Sequence, residues 1–159
     1  IDRLFGDAGN DLLYGGNEND NLAGGAGNDS VFGGNGIDFV SGNDGDDVLF
    51  GGTGSDRFGF VVNSTSAAGR NFIADFDLLD DYVWLSQADN PLTFGSFDTN
   101  GDGRITQADA FSFNQLWTYQ GQTLSSLVLD GGAALGFPAG AEILVVFGIL
   151  ELRAVDVIG

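Results

Sequence analysis

Over the first third of the chain, apolar and polar positions keep a nine-residue spacing. Large apolar residues stand at Leu4, Leu13, Leu22, Val31, Val40, Leu49 and Phe58, and an aspartate stands two places before each: Asp2, Asp11, Asp20, Asp29, Asp38, Asp47 and Asp56. Gly6, Gly15, Gly24, Gly33, Gly42 and Gly51 open the units between them. Each apolar residue is the centre of three extended residues, with its side chain pointing inward. Glycines at the first, second and fourth places allow positive φ and a tight bend, turning backbone carbonyls toward a common point that the aspartate faces. Nine residues therefore make a turn and a strand, and eighteen make one coil with two short parallel strands.

After Phe58 the spacing stops and other patterns take over. Phe113 and Trp117, four residues apart in "QADAFSFNQLWTYQ" (107–120), predict a helix packed on its neighbours, with Thr106 and Asp109 as a capping box at its start. From Thr123 the runs "TLSSLVLD" and "EILVVFGI" predict strands on either side of the turn-rich "GGAALGFPAGA". The second run is continuous and β-branched, as a fully buried strand would be.

Composition narrows the chemistry. The 159 residues carry 23 acidic and 5 basic side chains, a formal charge of -18, with all five cations arginine. Such a chain repels nucleic acid and anionic membrane, and those partners are not expected. At 43% hydrophobic it is too apolar for a disordered acidic tail. It has no cysteine and no histidine, so disulfides, thiolate chemistry, imidazole bases and zinc–imidazole sites are absent, and no catalytic residue is assigned. No apolar run is long enough for a membrane span, and no signal peptide is visible. Ile1 stands in mid-repeat without a methionine, so the chain is expected to be part of a longer protein.

The units read "GDAGNDLLY", "GGNENDNLA", "GGAGNDSVF", "GGNGIDFVS", "GNDGDDVLF" and "GGTGSDRFG", preceded by "IDRLF". This G-G-x-G-x-D-x-U-x pattern resembles the RTX calcium-binding nonapeptides of secreted bacterial proteins. The resemblance implies an all-β fold, a parallel β-roll in which turns two units apart stack and share calcium. The implied ligands are the carboxylates of Asp2, Asp11, Asp20, Asp29, Asp38, Asp47 and Asp56. Turn residues Gly6, Gly9, Gly15, Gly24, Gly25, Gly27, Gly33, Gly34, Gly36, Gly42, Gly45, Gly51, Gly52 and Gly54 would complete the sites. Four or five ions are expected between Asp2 and Asp20, Asp11 and Asp29, Asp20 and Asp38, Asp29 and Asp47, and Asp38 and Asp56. Leu13, Val31 and Leu49 would line one sheet, and Leu4, Leu22, Val40 and Phe58 the other. Asp7 and Asn43 replace second-place glycines, and Glu18, in a fourth place, is expected to disturb its turn.

The segment from Asp56 to Ser86 resembles the unit that closes the roll in serralysin-type proteases and alginate epimerase modules. Asp56, Phe58 and Phe60, then Ile73, Asp75 and Phe76, then Asp81, Val83, Leu85 and Ser86 carry that resemblance, with Asn71 where the family has aspartate. Asp75 is a candidate ligand of a terminal calcium. Residues 98–109, "DTNGDGRITQAD", resemble an EF-hand or dockerin calcium loop. There Asp98, Asn100, Asp102, the Arg104 carbonyl and Asp109 would hold one ion. The end, "ELRAVDVIG", resembles the C-termini of type I secretion substrates, through Asp156, Val157 and Ile158.

Four parts are expected: the roll (1–59), a capping unit (60–97), the EF-like loop with its exit helix (98–119), and C-terminal strands with a secretion signal (120–159). Filling five roll sites and the loop would bring the charge from -18 to about -6. The expected role is a calcium-dependent folding and export module, with an upstream domain and a type I transporter as partners outside a bacterial cell. The alternative is a polysaccharide-contacting or surface-layer module using Trp84, Trp117 and Tyr119, or the end of a secreted protease, lipase or epimerase.

Overall fold

The computed structural model describes residues 1–61, 69–86, 104–105, 112–119, 121–130, 142–146, 152–153 and 157–158. Within them the regular elements are all strands. The repeats supply β1 (Arg3–Phe5), β2 (Leu12–Asn17), β3 (Asn21–Ala26), β4 (Ser30–Asn35), β5 (Phe39–Asp44), β6 (Asp47–Thr53) and β7 (Arg57–Val61). Then follow β8 (Gly69–Ile73), β9 (Tyr82–Ser86), β10 (Arg104–Ile105), β11 (Ser112–Tyr119), β12 (Gln122–Asp130), β13 (Glu142–Val146), β14 (Leu152–Arg153) and β15 (Val157–Ile158).

Successive strands of the repeats enter opposite sheets, as a coil of two strands per turn requires. One sheet runs β1-β3-β5-β7-β9-β15 and the other β11-β12-β13-β8-β6-β4-β2. The nine-residue spacing sets the register: Leu4 stands beside Leu22, Leu22 beside Val40, and Val40 beside Phe58. In the facing sheet Leu13 pairs with Val31 and Val31 with Leu49. Leu22, Val31, Val40 and Leu49 are fully buried, and the core continues beyond the repeats through Phe60, Ile73, Phe76 and Val83. Burying each such side chain stabilises the fold by about 1.5–3 kcal/mol.

The expected parallel β-roll is therefore the fold observed, and its two sheets run on through β8 and β9. Two expectations are corrected. The strands of β2 to β5 are six residues, not three, because pairing resumes beyond the first-place glycine, at the second: Gly16 pairs with Gly34 and Gly34 with Gly52. Stacked coils with the same bend keep their ladder through it.

The helix expected over 107–120 is overturned. Ser112 to Tyr119 form β11, paired antiparallel with β12 from Ser112↔Leu129 to Tyr119↔Gln122. Phe113, Trp117, Thr118 and Tyr119 favour a pleated surface, and Gly121, at φ 80, supplies the left-handed residue a tight hairpin needs. Antiparallel pairing to β12, itself paired to β13, outweighs the four-residue aromatic spacing. Thr106 and Asp109, the expected helix cap, lie outside the described residues.

Candidate metal centre

Each repeat aspartate sits in the last residues of its turn, next to the strand whose register fixes it over the aspartate of the next coil. The backbone N–H of each donates to Oδ1 of the aspartate eighteen residues on: Asp2 to Asp20 (2.6 Å), Asp11 to Asp29 (2.8 Å), Asp20 to Asp38 (2.7 Å), Asp29 to Asp47 (2.9 Å) and Asp38 to Asp56 (2.9 Å). Two columns result, Asp11–Asp29–Asp47 along one edge and Asp2–Asp20–Asp38–Asp56 along the other.

In Asp20, Asp29, Asp38, Asp47 and Asp56 an N–H holds Oδ1 and leaves the second oxygen to the interior. Oδ2 of Asp11, Asp20, Asp29, Asp38, Asp47 and Asp56 is buried without a hydrogen-bond partner. A buried carboxylate oxygen left unpaired is costly, and six in phase call for a counter-charge or for protons. The first-place glycines form the facing wall. A Cβ on Gly33 would lie 2.5 Å from Asp38 Oδ2 and 2.6 Å from the Gly51 carbonyl oxygen; on Gly15 it would lie 2.8 Å from Asp20 Oδ2 and 2.6 Å from the Gly33 carbonyl oxygen. None of the first-place glycines has positive φ, which falls instead on second and fourth places such as Gly25 (φ 117) and Gly27 (φ 131). Glycine is required at the first place for clearance around the oxygens, not for backbone freedom as the sequence suggested.

The fourth-place backbones of successive coils also stack closely: a Cβ on Gly27 would overlap the Gly9 carbonyl oxygen, and one on Gly36 that of Glu18, each a coil earlier. Among the described residues no three acidic side chains converge on one point. A mixed set of one or two carboxylates with backbone carbonyls is nonetheless the hard-oxygen environment calcium takes, at about 2.3–2.6 Å. The residues present fit that ion. Glu18, expected to disturb its turn, keeps it by adopting φ 85, and Asp7 and Asn43 both adopt φ 69.

Burial also moves the acid–base balance. It pushes the Asp47 carboxyl up to about 7, against the Asp29 N–H that favours ionisation, with the charges of Asp29, Asp46 and Asp44 pushing further up. Asp56 is pushed up to about 6 by burial, opposed by the Asp38 N–H and reinforced by Asp81, Asp38 and Asp75. Burial raises Asp38, Asp75 and Asp81 as well.

The two edges close differently. Asp81, absent from the expected ligands, ends one column: its Oδ1 accepts the Asp56 N–H (2.9 Å) and its Oδ2 the Asp77 N–H (2.9 Å). Asp75 accepts the N–H groups of Gly51 (2.9 Å) and Gly52 (3.0 Å), seating its carboxylate on the last repeat turn. On the other edge Asn71 stands beside Asp47 in register. Both Asp81 and Asn71 were legible from one signal, an acid or amide two residues before an inward apolar residue, Val83 and Ile73, although the longer spacing broke the nine-residue phase. Arg104 lies in β10, paired with Arg153 of β14. Asp98, Asn100, Asp102 and Asp109 lie outside the described residues.

Comparison with known proteins gives two similarities. The family described as the RTX calcium-binding nonapeptide repeat (4 copies) matches residues 1–31 and 23–58. A search of curated proteins gives no match. Among solved structures, the chain is similar to the solution structure of the AlgE6R3 subunit from the Azotobacter vinelandii mannuronan C5-epimerase. That similarity has 20% identity, 95% of this chain and 80% of that one covered, and a TM-score of 0.31.

Proposed function

Because residues 1–58 are RTX calcium-binding nonapeptide repeats, we propose that the chain is a calcium-loaded folding module. It closes outside the cell and serves type I secretion and the stability of a larger secreted bacterial protein. The observation that carries this reading is the set of six buried, unpartnered aspartate Oδ2 atoms. In low cytosolic calcium, closing the coil would stack these carboxylates at the roughly 4.8 Å spacing of neighbouring strands, where like charges repel by several kcal/mol at an intermediate dielectric. The coil stays open and threads a transporter. At millimolar calcium, sites with dissociation constants of about 10⁻⁴ to 10⁻³ M fill, and each stabilises the closed form by up to about 1.4 kcal/mol. In this reading the chain itself performs no chemistry; any catalysis belongs to the rest of the protein.

The test is far-UV circular dichroism in chelator and in millimolar calcium, with magnesium as control. The β signal is expected in calcium alone, because magnesium demands a tighter octahedral shell at about 2.0–2.1 Å. An unchanged β spectrum in chelator would overturn the reading.

A second reading, contact with polysaccharide, has two observations in its favour. On the outer face of the six-stranded sheet, Phe39 and Trp84 make an edge-to-face pair with centroids 5.3 Å apart. A surface groove of about 260 Å³ beside Phe39 also carries Arg3 and Arg57. Glycan-array binding that is lost in Trp84→Ala would support it, and no binding to any glycan would remove it.

A further inference from the structure

The edge formed by Asp11, Asp29 and Asp47 does not end at Asp47. β8 pairs with β6 so that Asn71 stands beside Asp47, as each aspartate stands beside the one before it. Asn71 is 3% exposed and Asp47 1%, and Asn71 Oδ1 and Asp47 Oδ2 both lack a hydrogen-bond partner. A Cβ on Gly42 would overlap both of these oxygens, so they converge over one glycine. Two lone-pair oxygens brought together in a dry site with no donor between them repel, unless a cation or a carboxyl proton lies there.

We propose that Asp47 and Asn71 hold a calcium ion of their own, at a site poorer in charge than the aspartate-pair cages below it. The inference rests on the calcium reading of the roll. An amide oxygen is a good hard ligand but brings no charge, and calcium affinity follows ligand charge count. This site therefore fills last. Its position gives the late step a consequence, because β8 lies between β6 and β13 in the seven-stranded sheet. Arg70, next to Asn71, also donates its N–H to the Gly45 carbonyl (3.0 Å). The ion fastens β8 to the last repeat turn of this edge, and through β8 it fastens β13, which runs parallel to it, and the antiparallel strands β12 and β11 beyond. The roll closes first and the C-terminal sheet docks at higher calcium. The competing arrangement turns the Asn71 amide so that its Nδ2 donates to Asp47, which needs no ion.

Calorimetric calcium titration of the full chain, with hydrogen exchange read by mass spectrometry, separates these arrangements. The wild type should show a weakest class of one ion, and peptides over 69–73 and 142–146 should gain protection at higher calcium than peptides over 12–53. Asn71→Leu should lose that one ion and leave the others. Asn71→Asp should keep the ion count and tighten the weakest site by roughly tenfold or more, so that both groups of peptides gain protection together. An unchanged ion count in Asn71→Leu would overturn the inference. So would an Asn71→Asp variant that gains no affinity and is less stable in calcium, the result the turned amide predicts. A wild type that binds no calcium would instead sink the reading of the whole roll.

Discussion

Glu18 holds φ 85, where the Cβ of an L residue crowds its own carbonyl, while the equivalent Gly27 and Gly36 sit at φ 131 and 143 without that cost. Left-handed geometry costs a non-glycine residue about 1–2 kcal/mol, and the extra freedom of glycine in the unfolded chain returns about 0.5–1. Glu18→Gly should therefore stabilise the calcium-loaded protein by about 0.5–1 kcal/mol, measured by thermal unfolding at fixed calcium. Asp47 and Asp56 set a pH dependence of opposite sign in the two states of the protein. Their folded values of about 7 and about 6 lie above the ordinary 3.8, so the calcium-free fold binds more protons than the unfolded chain. Its stability should rise as pH falls from about 7 toward 4 and be lost as pH rises back through that window. Calcium affinity should fall over the same interval, as protons compete for the carboxylates. Circular dichroism in chelator and calcium titrations at stepped pH read the two effects separately.

The strands are held by a narrow core, one inward residue per repeat with successive repeats facing from alternate sheets, so a single truncation is felt through the stack. Leu49 is fully buried between Val31 and Ile73 in register. Leu49→Ala should cost about 2–5 kcal/mol and move the calcium midpoint of folding upward, read by far-UV circular dichroism. These elements were legible because sequence phase and structural phase coincide: the spacing that places Leu13, Val31 and Leu49 also stacks them, and with them the aspartates. What was illegible depends on partners remote in sequence. Ser112 to Tyr119 carry aromatics at a helix-like interval, yet β12 recruits them into a hairpin. The first-place glycines were credited with backbone freedom, when the constraint is an aspartate oxygen from five residues on and, at Gly6, Gly15 and Gly33, a carbonyl from the next coil. Asp81 and Asn71 fell out of phase because the spacing lengthens beyond residue 58, although each keeps its place before an inward apolar residue.

For the whole molecule the decisive quantity is the charge of -18 on a chain whose acidic side chains are partly drawn into the fold rather than left on its surface. Asp20, Asp29, Asp38, Asp47, Asp56 and Asp81 are all buried, against the usual exposure of aspartate. Under the proposed reading, an ion in the cages would convert the columns from a liability into the bond between coils and make folding and metal binding one event. Crystals grown in millimolar calcium, with data recorded for the anomalous signal of the ion, test this most directly. The account predicts peaks along both edges, each about 2.3–2.6 Å from aspartate oxygens and turn carbonyls. An intact coil whose cages hold only water under those conditions would contradict it.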